Sequence, residues 1–280
     1  MDKIAFLFLT INNTNQPNIW ENYFLNNEDK HNIYCHPKQP NHVSDSFLIN
    51  NIIQKTQETN WGLLVNAEIA LLKEALADKN NTHFIFVSES CIPIKPFDEL
   101  YNFLSNNDYK TSYINLYNDT DEIVEYQRKK KNMDELFDSN YPFVHHHQWA
   151  CLSRYHVKKL LVSPDLDNLK QLFLGDEFLF SPLFPDTYIQ NFPITYTDWS
   201  NKEKAELLTS IINNLWKLYD SEPTDDIKHD IKKYKSLRIN YGQHPKTFDQ
   251  IDNDTINEIM TSESFFARKF SKESNVKDYL

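Results

Sequence analysis

The sequence predicts an α/β protein, a mixed sheet flanked by helices, and three observations carry that reading. Short apolar runs alternate with segments of helical periodicity through the first two thirds of the chain. With 280 residues and 33.3 kDa, the chain can bury a sizeable core without disulfides. Its 40% hydrophobic and 25% charged residues are those of a globular protein and exclude disorder.

Residues 4–10 (IAFLFLT) and 32–37 (NIYCHP) read as short buried strands. The first lacks a small-residue cleavage site and alternates into Thr10, Asn12 and Asn13, so it suits a strand better than a signal peptide. No run approaches the length of a membrane span. Residues 46–54 and 61–78 read as helices, the second with Leu64, Leu71, Leu72 and Ala75 on one apolar face. Glu68 shares that face, and a buried carboxylate requires a partner, expected to be an ion pair or a backbone hydrogen bond.

Residues 82–90 form the strongest strand, followed by a turn through Ser88, Glu89, Ser90 and Cys91. Ligands of open α/β sheets bind beyond the carboxyl ends of strands, which makes Ser88, Glu89 and Ser90 a candidate site wall. The alternative is an ordinary strand-to-helix turn capped by Ser90 and stiffened by Pro93 and Pro96. A short helix is expected at 97–104, then a polar stretch over 105–140 whose basic run, Gln127 to Lys131, suits a solvated surface. Residues 143–152 read as a strand with His145 and His147 on one face. No carboxylate or cysteine at ligand spacing completes that pair, so a metal site, and the hydrolase it would imply, is not expected.

A helix at 154–162, an aromatic stretch at 166–184 and a strand at 195–197 follow. Residues 201–243 mix charge with helical periodicity (Ala205, Leu208, Ile211, Ile212, Leu215, Leu218), which predicts one or two peripheral helices inserted in a single domain spanning 1–280. The C-terminal block holds HPKTF, a helix through 256–259, and FFARKF.

Composition narrows the chemistry. The chain has 3 glycines, Gly62, Gly175 and Gly242, where average usage would give about 20. No GxGxxG or Walker loop can be written from them, so a bound nucleotide would have to be held by side chains. A net charge of -11 argues against nucleic acid as a partner and requires any anionic ligand to find a local basic pocket. Cys35, Cys91 and Cys151 form neither a disulfide framework nor a zinc motif, as expected of a reducing compartment.

Three DxD-like strings, Asp119 to Asp121, Asp165 to Asp167 and Asp252 to Asp254, sit in polar turns where Asp is common, and no metal is assigned to them. Asp176 and Glu177 differ, because Leu172, Phe173 and Leu174 precede them and Phe178, Leu179 and Phe180 follow. Low-dielectric surroundings raise a carboxyl pKa and make a better general base. Helix N-capping by Asp176, with Glu177 in the first turn, is compatible with that role, and Gly175 is expected to turn the chain before them. In FFARKF, Arg268 and Lys269 lie within an aromatic frame, where cations can neutralise a departing phosphate.

In order along the chain, KIAFLFLT, NIYCHP, WGLLVNAEIALLKEAL, HFIFVSESCIPIKPFDELYNFL, HHHQWACLSRYHVKKLL, GDEFLFSPLF, TYTDWS, HPKTF and FFARKFS resemble the core-2/I-branching family of β-1,6-N-acetylglucosaminyltransferases and the related protein xylosyltransferases. The resemblance implies a GT-A-like fold with a Rossmann-like nucleotide-binding half, and an inverting transferase that uses a UDP-sugar and a carbohydrate acceptor without a metal. It makes Glu177 the catalytic base, Lys269 and Lys246 the diphosphate-binding cations and Arg268 their helper. It also places Ser88, Glu89, Ser90, Trp149 and Asp176 along the cleft. The segment 201–243 departs from the family pattern, as does the absence from this sequence of the membrane anchor and disulfides of animal members, which points to a soluble cytoplasmic enzyme. A non-catalytic glycan- or nucleotide-sugar-binding protein with the same fold is the alternative.

Overall fold

A computed structural model describes residues 2–117, 133–138, 140–239 and 244–278. The basic run Gln127 to Lys131, the string Asp119 to Asp121 and Gly242 lie outside the described residues.

Strands β1 (Lys3–Thr10), β2 (His31–Pro37), β3 (Asn81–Ser88), β5 (Ser112–Ile114), β6 (Cys151–Ser153) and β7 (Ile189–Asn191) form one sheet in the order β2-β1-β3-β6-β5-β7. β1 runs parallel to β2 and β3, whereas β6 is antiparallel to both β3 and β5. The alternation of side chains along β1 buries both faces. Ala5, Leu7 and Leu9 pack with the helix Val65–Leu76, and Ile4, Phe6 and Phe8 pack with Trp20, Phe24, Phe97 and Leu100 of the helices Pro17–Phe24 and Phe97–Asn106. The result is the expected mixed sheet between helical layers, consistent with a GT-A-like fold.

A second sheet has the order β4-β9-β8, from β4 (Ile92–Pro93), β9 (Phe266–Arg268) and β8 (Thr195–Thr197). The C-terminal FFARKF segment therefore supplies a central strand, antiparallel to β4 and parallel to β8. Phe270 N then donates to Ser90 O at 2.9 Å, which fixes Arg268 and Lys269 beside the turn after β3.

Several expected elements are shorter than the pattern suggests. The helix read over 46–54 is one turn, Ser46–Ile49, because residues 51–53 hydrogen-bond to the edge of β2 through Cys35. The helix read from 61 begins at Val65, because Asn60 and Leu63 bridge around Gly62, whose φ is 78°. The strand read over 143–152 is confined to β6, and residues 145–147 make only an isolated bridge through Leu116 and His146. The capping role of Ser90 gives way to Pro96, which precedes the helix Phe97–Asn106.

The peripheral segment folds as expected into two helices packed on each other, Ser200–Ser221 and Asp225–Ile239. Among the described residues no helix is long and apolar enough to cross a membrane.

Candidate active site

Beyond the carboxyl ends of β1 and β3, Asn15, Glu89, Ser90, Thr247, Arg268 and Lys269 line a cleft of about 360 Å³. Asn15 ties its floor together: its N donates to Glu89 O and its Nδ2 to Phe270 O, both at 2.8 Å. The Arg268 guanidinium lies 4.5 Å from the centre of the Trp149 ring, a cation-π contact. Its Nε is shut away from solvent and has no hydrogen-bond partner among the described residues.

Burial lowers the proton affinity of Arg268, and burial followed by the Arg268 charge lowers that of Lys269. Burial raises the Glu89 pKa, and the positive charges of Arg268, Lys269 and Lys272 act against that rise. Two cations that disfavour each other at a desolvated wall form a site that an anion relieves.

Glu177 lies outside the lining of this cleft. Its carboxylate Oε2 is 3.5 Å from His145 Nε2, its side chain is 26% exposed, and its carbonyl accepts from His146 N at 3.0 Å. His145 and His147 each stack on Tyr117 with ring centres 4.1 Å apart, so the tyrosine ring is clamped between them. Phe178 stacks on His145 and extends the column. Trp199 meets Tyr117 and His147 edge-on, and its neighbour Asp198 lies 3.7 Å from Lys246 Nζ. This aromatic column joins Glu177 to the segment that bears Lys246. It also accounts for the histidine run, whose alternate rings hold Tyr117. The middle one, His146, is buried, has its pKa lowered to about 3, and accepts from Phe180 N at 3.0 Å.

The turn that presents Glu177 differs from the expected helix N-terminus. Gly175–Glu177 is a single 3-10 turn with Leu174, not Asp176, at its N-cap position. Leu174 (φ 56°), not Gly175, reverses the chain. Gly175 instead allows close packing: a Cβ there would lie 2.6 Å from Leu169 O and 3.1 Å from Val65 Cγ2. Asp176 is buried and faces Glu68, so the more desolvated carboxylate of the pair is not Glu177.

Glu68 is fully buried; its Oε1 accepts from Gln148 Nε2 at 2.9 Å, and its Oε2 has no partner among the described residues. The partner is thus a side-chain amide, neither of the two expected. Burial first, and then the neighbouring Asp176 charge, raise the Glu68 pKa well above 4.5. The native state retains a proton that the unfolded chain sheds, so this group's contribution to stability is present at low pH and falls as pH rises above its unfolded value. Glu68→Gln, a neutral isostere that still accepts from Gln148, is expected to match the parent at low pH, to exceed it in stability at pH 7 and to flatten the pH dependence. Glu68→Ala leaves a cavity and strands Gln148, at about 2–4 kcal/mol. Urea denaturation between pH 5 and pH 8 measures both, and equal losses at pH 7 would show that Glu68 is ionised.

Of the residues expected at the site, Glu89, Ser90, Arg268 and Lys269 line the cleft, and Trp149 lies beneath Arg268. Ser88 turns inward, its Oγ 3.0 Å from Ser90 Oγ and 3.3 Å from Cys91 Sγ. Lys246 sits outside the cleft lining, paired with Asp198 and over the Phe248 ring, while its neighbour Thr247 faces in. Asn15, Tyr117 and Asp198 were not singled out by the sequence, because each acts through a contact more than forty positions away (Asn15–Phe270, Tyr117–Trp199, Asp198–Lys246).

The sequence matches the family model described as Core-2/I-Branching enzyme over residues 4–216. That stretch holds Glu89, Trp149 and Glu177; Lys246, Arg268 and Lys269 lie beyond it. The chain is also similar to a protein of Oryza sativa subsp. japonica named Glycosyltransferase BC10, at 28% identity over 165 residues that cover 56% of this chain. The similar stretch spans 39% of that relative's length. The ordered motifs, the mixed sheet and a family match across most of the described core lead to one conclusion: the chain belongs to the core-2/I-branching enzyme family.

Proposed function

We propose that this protein is an inverting, metal-independent glycosyltransferase that moves N-acetylglucosamine or xylose from a UDP-sugar to a carbohydrate or glycosylated acceptor. The observation that carries this reading is the cleft with half-buried Arg268 and Lys269 beyond β1 and β3, with the aromatic column that holds Glu177 beside the Lys246 segment.

In a single displacement, Glu177 takes the proton of the acceptor hydroxyl as that oxygen attacks the anomeric carbon from the face opposite the leaving group. The bond from the anomeric carbon to the diphosphate breaks with its electron pair passing to UDP, and inversion follows from the attack geometry. Arg268 and Lys269 meet the growing negative charge at a wall already desolvated, where it is worth more than in water. His145 orients the Glu177 carboxylate. Three free, buried cysteines suit a reducing cytoplasm.

UDP is expected to raise the melting temperature, because a ligand that binds only the native state stabilises it by about 2.7 kcal/mol at one hundred times its Kd. UDP release from a panel of UDP-sugars, with and without EDTA, tests the chemistry. Unchanged release under EDTA is expected, and loss of release on chelation would overturn metal independence.

A further inference from the structure

Trp61 is 66% exposed and Phe173 is 42% exposed, and their rings meet at 65° with centres 5.5 Å apart. The His244 ring stands 6.0 Å from Trp61 on another side. Single exposed aromatics are ordinary, but a fixed corner of rings is a recognition surface.

The backbone holds this corner to the turn that bears Glu177. Gly62 has no Cβ, and one placed there would lie 2.5 Å from Phe173 Cε2, so glycine is what lets the ring settle beside Trp61. Gly62 O accepts from Leu174 N at 2.7 Å, and Leu174 O accepts from Glu177 N at 3.1 Å. One hydrogen-bonded turn therefore separates the rings from the base. His244, two positions before Lys246, brings the corner against the segment whose Thr247 lines the cation cleft.

We infer that Trp61 and Phe173 form a stacking subsite for a pyranose unit of the acceptor saccharide, an inference that rests on the glycosyltransferase reading. A pyranose presents an apolar C–H face that suits an aromatic ring and a hydroxyl edge that needs polar partners. The exposed polar run before Trp61 supplies these: Glu58 is followed by Asn60, whose Oδ1 lies 3.5 Å from Lys38 Nζ. An apolar peptide or lipid would leave that polar rim unmatched. Tryptophan is also suited to the anchor role in energetic terms, since its large rigid face orders little on binding.

The test uses the full chain with chitotriose and xylotriose as probes, followed by saturation-transfer NMR and by titration. Binding of at least one trisaccharide is expected, weakened about tenfold or more by Trp61→Ala and by Phe173→Ala, the loss of one stacking anchor. Trp61→Phe is expected to retain most of the affinity, and the UDP-induced rise in melting temperature is expected to stay at the parent value in all three variants. Absence of binding by either trisaccharide, or equal binding by parent and Trp61→Ala, would overturn the subsite. A UDP shift lost in Trp61→Ala would instead assign the rings to the nucleobase and overturn it as well. Failure of the glycosyltransferase reading shows separately, as a parent protein that gives no UDP shift.

Discussion

Glu177→Gln is expected to lower sugar transfer by about 10²–10⁴-fold while leaving the UDP-induced melting shift intact. Glutamine keeps the size of the side chain and can still meet His145 Nε2, which stands 3.5 Å from the carboxylate, but it cannot take a proton from an acceptor hydroxyl. The loss should therefore fall on kcat, with the donor KM little changed. The cations that would hold the diphosphate come from β9 and the residue after it, and Glu177 from the 3-10 turn after Leu174, so the substitution does not disturb the donor wall. Single-turnover transfer with the best UDP-sugar of the panel measures the effect. A variant that turns over at the parent rate would move the base elsewhere, and Glu89 and Glu273 are the carboxylates that line the cleft.

The parts of this arrangement legible in the sequence are those set by local pattern. β1, β2 and β3 differ by at most two residues from their expected limits; in β1 and β3 the reason is a strand buried on both faces, which leaves a continuous apolar run. The two peripheral helices were legible for the same reason, through a helical period that persists over many turns. Of the second sheet only β8 is legible, at its expected limits 195–197; β4 and β9, of two and three residues, carry too little pattern to stand out. Arg268 and Lys269 could be singled out by their aromatic frame, and the structure gives the reason: Phe266 and Phe270 are both fully buried, which pins the two cations at the cleft edge.

The pairing of Glu177 with His145 is hidden by the histidine run, which pattern alone reads as a strand with His145 and His147 on one face. The structure uses its alternate rings to clamp Tyr117 and its middle ring to accept from Phe180 N. Glu68 was visible as a misplaced charge, but only the tertiary contact shows that it is answered by Gln148 and sits against Asp176. Such groups are legible as anomalies; their partners depend on packing between segments distant in sequence, 80 residues apart for Glu68 and Gln148.

Arg268→Met is expected to reduce kcat/KM for the UDP-sugar by about 10²–10³-fold, the scale for removing one preorganised charge from a water-excluded site. Methionine preserves much of the packing volume over Trp149, where the guanidinium centre lies 4.5 Å from the ring, so the loss reports charge rather than collapse. The same change removes the repulsion that lowers the Lys269 pKa and therefore raises it, leaving Lys269 a more fully charged but solitary partner for a diphosphate. Arg268→Lys should fall between parent and Arg268→Met, because a point charge replaces one cation but neither stacks as a plane nor offers a fork of donors. The UDP melting shift should shrink in the same order. Lys246→Ala provides the contrast, since Lys246 is already held by Asp198 outside the cleft lining. A full UDP shift in Arg268→Met, together with a lost shift in Lys246→Ala, would move the diphosphate site from the β9 end to the HPKTF segment.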